Sequence, residues 1–255
     1  MMEKLEPVSS WLKNSWAIYI RRLPTFITIA VLPSIMFMAG TALIALSPST
    51  IILGVAVFIA GIIFSFYSQL ALILSLKDNT NAIVSYRLAF RAKILSYSWI
   101  AILLLFINFG GFLMGIIPVI IFSIWFMFMP FIFIFEDGRG LNALLKSKEY
   151  ARGYWWPLFG RFVLMVSIPL FIYFMIYMMH PANPQLISSI INVFSGPFIV
   201  ASHFLIYRNV VALKPQVITM TSFPRRKFFI FVAWLPLVAM LALPLIGMLL
   251  FIIKY

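Results

Sequence analysis

Gln69, Asn108, Asn192, Ser195 and His203 stand out because each lies inside a long apolar run. Polar side chains in such surroundings mark a substrate path when several converge, because burying one alone in hydrocarbon is costly. Gln69, Asn108, Asn192 and His203 are therefore the candidates for an internal polar pocket. His203 itself is read as a buried histidine with a satisfied ring, since few partners are in reach. The second histidine, His180, falls in a polar turn, and neither H-E-x-x-H nor H-x-x-E-H spacing occurs. A metal site is not expected. No cysteine and no G-x-S-x-G supply a nucleophile. One acidic cluster remains, Glu136-Asp137-Gly138-Arg139. Asp137 is expected to cap the helix that follows. Glu136 is expected to pair with Arg22, Arg139 or Arg161. Both are structural roles, a cap and a clamp, so neither catalysis nor a cofactor is expected.

The elements holding these residues follow from composition. The 255-residue chain is 64% hydrophobic and 10% charged, with a mean hydropathy of +1.09. A soluble domain carries about 25% charged residues. Too few charges are present to cover a surface in water, so the chain is expected to be an all-α integral membrane protein. A net charge of +13 would point to nucleic acid in a soluble protein. Here the placement of the charges gives another reason, and no nucleic-acid partner is expected.

Apolar runs at 25–46 and 51–76 each exceed the roughly 20 residues that cross a bilayer, and Ser47-Pro48-Ser49-Thr50 joins them in a tight turn. The run 98–135 would measure about 57 Å as one helix. Asn108, Gly110, Gly111 and Pro118 break it into two helices, about 98–113 and 117–135. Further spans are expected at 157–179 and 186–207, around the turn 180–185, and a seventh at 228–253.

Lysine and arginine sort with these spans. Lys4, Lys13, Arg21 and Arg22 precede the first, and the loops 77–97, 136–161 and 208–227 hold all the others except Lys254. Positive residues stay on the cytoplasmic side, which places the N-terminus inside the inner (plasma) membrane. The apolar run starts too late and runs too long for a signal peptide, so 1–24 is read as mature protein.

A weak internal match relates Leu12-Lys13, Pro24 and Phe26 to Leu145-Lys146, Pro157 and Phe159, with aromatic residues before each proline. A fainter copy ends in Tyr97-Ser98-Trp99. The domain 8–214 thus reads as three parallel helical-hairpin repeats, 8–77, 82–136 and 141–214, each opened by a basic, aromatic stretch. In the first stretch Leu12, Trp16, Tyr19 and Leu23 share one helical face, opposite Lys13, Asn14 and Arg21. Leu141, Leu144 and Leu145 face away from Lys146 and Glu149, while Arg87 falls near the Ile83/Phe90 face. Such helices lie in the cytoplasmic interface, with rings at headgroup depth. Trp11, Trp16, Trp99, Trp155 and Trp156 sit near that boundary. The headgroup candidates are Lys13, Arg21, Arg22, Arg87, Arg91, Lys146 and Arg152. Gly54, Ala56, Ala60 and Gly61 read as a packing face.

The segments Phe135-Glu136-Asp137-Gly138, Leu141-Asn142-Ala143-Leu144-Leu145-Lys146-Ser147, Gly153-Tyr154-Trp155-Trp156 and Leu205-Ile206-Tyr207-Arg208 carry a resemblance. Over about 8–214 the chain resembles the bacterial membrane domain attached to some glycerophosphoryl diester phosphodiesterases, and its stand-alone relatives of unknown function. The resemblance implies a six-helix bundle with cytoplasmic interfacial helices. It does not imply phosphodiesterase activity, which resides in a separate soluble barrel with metal ligands and catalytic histidines. The run 228–253 departs from the six-span pattern.

Together these readings favour a non-catalytic polytopic membrane protein that either serves as an accessory or scaffold for a membrane-protein partner or binds anionic lipid through its basic inner face. The alternative is a transporter or transporter subunit for an apolar or lipid-like solute, since charged solutes require buried ionisable groups.

Overall fold

The computed structural model describes residues 5–91, 94–179, 184–215 and 227–236, and among them the regular structure is helical. Helix α1 (Val8–Arg21) turns at Arg22 into α2 (Leu23–Leu46), where Pro24 occupies a first-turn position at which a missing N–H costs nothing. At the far end of α2, Thr50 Oγ1 donates to the carbonyls of Leu43 (2.7 Å) and Ser47 (2.9 Å). These bonds satisfy carbonyls that the helix end leaves free. Helix α3 (Ile51–Asp78) then returns and stops at Asn79, whose φ of 56° lies in the left-handed region. The two helices meet through glycine. A Cβ on Gly54 would lie 2.7 Å from Ile44 N and 2.9 Å from Gly40 O.

Asn81 Oδ1 accepts from Val84 N (3.0 Å) and starts α4 (Ala82–Arg91). Helix α5 (Ile94–Leu113) and α6 (Ile116–Phe126) form the expected second hairpin, turning at Gly115 with φ +119°. The helix expected over 117–135 is divided. Pro130 cannot donate within a helix, and α7 (Met129–Glu136) begins afresh after Met127 and Phe128. Ser147 of α8 (Gly140–Ala151) covers the gap. Its hydroxyl donates to Trp125 O (2.7 Å) and accepts from Phe128 N (3.2 Å). Helices α9 (Trp155–Met179) and α10 (Pro184–Leu213) follow, and the short apolar helix α11 (Lys227–Pro236) packs Phe229 and Val232 into the bundle. Only this first part of the expected 228–253 span lies within the described residues, and the turn 180–183 with His180 lies outside them.

Six helices are long and apolar enough to cross a membrane: Leu23–Leu46, Pro48–Asp78, Ser96–Leu113, Ile116–Glu136, Trp155–Met178 and Leu186–Leu213. Short helices α1, α4 and α8 each precede two of them. Large apolar side chains stay uncovered on the outer parts of this bundle, with Ile52 85% exposed and Phe171 64%. Patches of that extent belong in lipid. The architecture is that of a polytopic helical membrane protein.

The packed core sits toward the end where α1, α4 and α8 gather. Trp11, Phe26, Ile73, Phe128 and Leu144 are fully buried there. Trp11 Nε1 donates to Ser202 O (3.1 Å), tying α1 to α10. The buried face of α1 is Trp11, Ser15 and Tyr19, with Trp16 turned outward, so the expected Leu12/Trp16/Tyr19 face is rotated by one residue. Trp11 is thus a core anchor, not a ring at headgroup depth. Helix α4 packs its small residues Ala82, Ser85 and Ala89 inward and exposes Ile83 and Phe90. An apolar face turned outward suits an interfacial helix.

Candidate functional site

Glu136 ends α7 at the point where α7, α8 and α10 meet. Its carboxylate accepts from Tyr150 OH (3.0 Å) and Tyr207 OH (2.6 Å), and it forms an ion pair with Lys146 Nζ. Helical rotation sets these partners: Lys146 and Tyr150 are four residues apart, so both project from one face of α8. Burial first, then the charge of Glu136 and the hydrogen bond to it, push the Tyr150 phenol upward, so it remains a neutral donor. None of the expected arginines, Arg22, Arg139 or Arg161, forms an ion pair with Glu136. Arg139 pairs with Asp137 (3.0 Å) at the surface. Arg161 is buried, donates to the backbone carbonyls of Glu6 and Pro157, and lies over the Trp11 ring. Asp137 does not cap α8 either. It closes α7 in the left-handed region at φ 49°, and Arg139 occupies the N-cap of α8 without a side-chain bond. Glu136 thus contacts α8 and α10 through Lys146, Tyr150 and Tyr207 instead of an arginine, and Asp137 ends α7 instead of capping α8.

Around this clamp lies a cavity of about 800 Å³, bounded by the α1–α2 corner, the ends of α3, α7 and α10, and α8. Arg21, Arg22, Lys77, Lys146 and Arg208 line it, against Glu136 as its acidic group. Three of these cations, Arg22, Lys77 and Arg208, are held by neutral partners. Arg22 Nη1 donates to Ser75 O and, at 3.4 Å, to Thr80 O. Lys77 Nζ donates to Ile134 O (3.1 Å) and sits 5.4 Å from the Phe135 ring centre. Arg208 lies over the Phe204 ring. Burial, and then the neighbouring Arg21 charge, lower the Arg22 pKa. Beside the cavity, Lys214 Nζ donates to the carbonyls of Glu149 (2.9 Å), Tyr150 (3.2 Å) and Arg152, where a cation suits the free end of α8. Guanidinium and ammonium groups on rigid backbone supports are suited to hold an anion.

Of the seven headgroup candidates, Arg21, Arg22 and Lys146 enter this cavity. Lys13, Arg87, Arg91 and Arg152 lie exposed outside it. Lys77, Arg208, Tyr150 and Tyr207 complete the site and are not among the site residues expected from the sequence. Lys77 and Arg208 each stand close to the end of a helix returning to the same side, and that shared level was the available signal. The intramembrane polar residues do not converge. Gln69 accepts from Tyr97 OH (2.7 Å), while Asn108 donates to Leu104 O (2.9 Å) and accepts from Ser123 (3.3 Å). Asn192 faces outward, and His203 Nε2 is buried with no hydrogen-bond partner among the described residues, unlike the satisfied ring expected for it.

Comparisons with family models, with curated proteins and with solved structures find no match to this chain.

Proposed function

We propose that the chain is a non-catalytic protein of the inner (plasma) membrane. Its basic end is cytoplasmic, engages anionic lipid, and serves as an accessory or scaffold surface for another membrane protein. The observation that carries this reading is the convergence of Arg21, Arg22, Lys77, Lys146 and Arg208 on one cavity at the end of the bundle. Charge placement along the sequence supports the orientation, because basic loops are retained in the cytoplasm. The recurring order of a short amphipathic helix and two long ones supports three parallel repeats over 8–77, 82–136 and 141–214. That order, with the motifs around Glu136 and Tyr207, also supports membership of the membrane-domain family named above. Helix α11 (Lys227–Pro236) is the described part of the seventh span proposed for 228–253, the rest of which lies outside the described residues.

A basic residue near an anionic leaflet contributes on the order of 1 kcal/mol, and salt screens it. Phosphatidylglycerol or cardiolipin should therefore raise the unfolding temperature of the purified protein by on the order of 5 °C over phosphatidylcholine at low salt. High salt should remove most of the difference. Equal stabilisation by neutral and anionic lipid at low salt would reject the lipid-binding reading.

A further inference from the structure

The cavity has an unbalanced charge that its own side chains do not answer. Five cations face one carboxylate, and that carboxylate already serves Lys146, Tyr150 and Tyr207. Arg21, Arg22, Lys77 and Arg208 have no carboxylate partner among the described residues. Arg21, Lys77 and Arg208 are exposed, so solvent screens part of the repulsion among these four cations, and an anion lying between them would relieve the rest. The backbone carbonyls of Ser75, Thr80 and Ile134 and the rings of Phe135 and Phe204 fix Arg22, Lys77 and Arg208 in place. Ligand binding therefore has little ordering to do, which favours affinity. Guanidinium forks match phosphate oxygens bidentately, and lysine adds a point charge. A single negative charge would leave most of the excess standing, and two answer it better. Phe135, Phe204 and Val211 give the same hollow an apolar wall.

We propose that this cavity is a one-to-one binding site for a dianionic phosphate group, of the phosphomonoester kind, carried by a lipid or by a soluble molecule. The proposal rests on the reading of the basic end as an anion-binding face, and narrows it from a diffuse surface to one saturable site.

Native mass spectrometry of the full chain in detergent tests it, with phosphatidate, phosphatidylglycerol, phosphatidylcholine and inorganic phosphate as probes. One phosphatidate should bind before any second, about tenfold tighter than phosphatidylglycerol, because the monoester carries close to one more negative charge. Arg21→Gln with Arg208→Gln is the variant of choice, since among the described residues neither side chain holds a backbone carbonyl whose loss would threaten folding. Its affinity should fall by about thirtyfold, the loss expected for two basic residues at an anionic group. Arg87→Gln with Arg91→Gln, outside the cavity, should leave the first adduct unchanged. Displacement of bound phosphatidate by inorganic phosphate would identify a soluble source, and its persistence would identify the lipid. Several equivalent adducts, weakened alike by both double variants, would overturn the site and leave only a diffuse anionic-lipid face. Absence of any preference among the three lipids would overturn the site and the broader reading together.

Discussion

Glu136→Ala is expected to lower the stability of the purified protein by about 3 kcal/mol, the lower end of the range for removing one partner of a buried ion pair. Three donors depend on this carboxylate: Lys146 Nζ and the hydroxyls of Tyr150 and Tyr207. The side chains of Glu136 and Lys146 are only 18% and 26% exposed, so solvent does not screen the pair as it does a surface bridge. Alanine leaves all three donors without that acceptor. Glu136→Gln retains an oxygen for the tyrosines but not the charge, and should cost about 1 kcal/mol. Denaturation in mixed micelles measures both values. An alanine variant as stable as the parent would show that α7, α8 and α10 are held by packing alone.

The second large effect is expected at the hairpin of α2 and α3. An added Cβ at Gly54 would meet Ile44 Cγ1 and the backbone Ile44 N, each at 2.7 Å, and the backbone Gly40 O at 2.9 Å, and one at Gly40 would meet Phe58 N at 2.8 Å. Backbone cannot rotate aside as a flexible side chain does. Gly54→Leu must therefore push the helices apart, at a cost of about 3 kcal/mol for an overpacked contact. Ala56→Leu, two residues away on an exposed part of α3, should be nearly neutral. Thermal unfolding of the two variants distinguishes them, and equal stability would remove the close contact from the fold.

Much of this architecture is legible in the sequence for physical reasons. Membrane thickness sets a length that 25–46 and 51–76 must meet, and the tight 47–50 turn leaves a hairpin as the only connection. The break expected in 98–135 falls between α5 and α6, but at Gly115, whose φ of +119° suits glycine, while Asn108, Gly110 and Gly111 lie inside α5. Faces and partners were less legible, because they depend on residues far away in the chain. The rotation of α1 follows from Trp11, whose indole N–H reaches the Ser202 carbonyl on α10. Periodicity alone fits Trp16 as well. The division between α6 and α7 depends on Pro130, but also on Ser147 of α8, which serves the groups left free at the gap. Lys146 answers Glu136 because α8 presents Lys146 and Tyr150 together, whereas Arg22, Arg139 and Arg161 are expected only from lying on the same side of the membrane. The cavity was hidden for the same reason. Its five cations come from four separate parts of the chain, and only their common level at the helix ends joins them.

Sidedness is the premise on which the basic end depends, and a cysteine-free chain makes it directly measurable. Ser147 is a poor reporter of the inner side, because it is fully buried. Ser49, in the α2–α3 turn, and Arg87, on α4, are both exposed. A cysteine at Ser49 should react with a membrane-impermeant thiol reagent in intact cells. A cysteine at Arg87 should react only after the membrane is opened. Labelling at Arg87 and protection at Ser49 in intact cells would place the basic cavity outside and contradict a cytoplasmic anionic-lipid face.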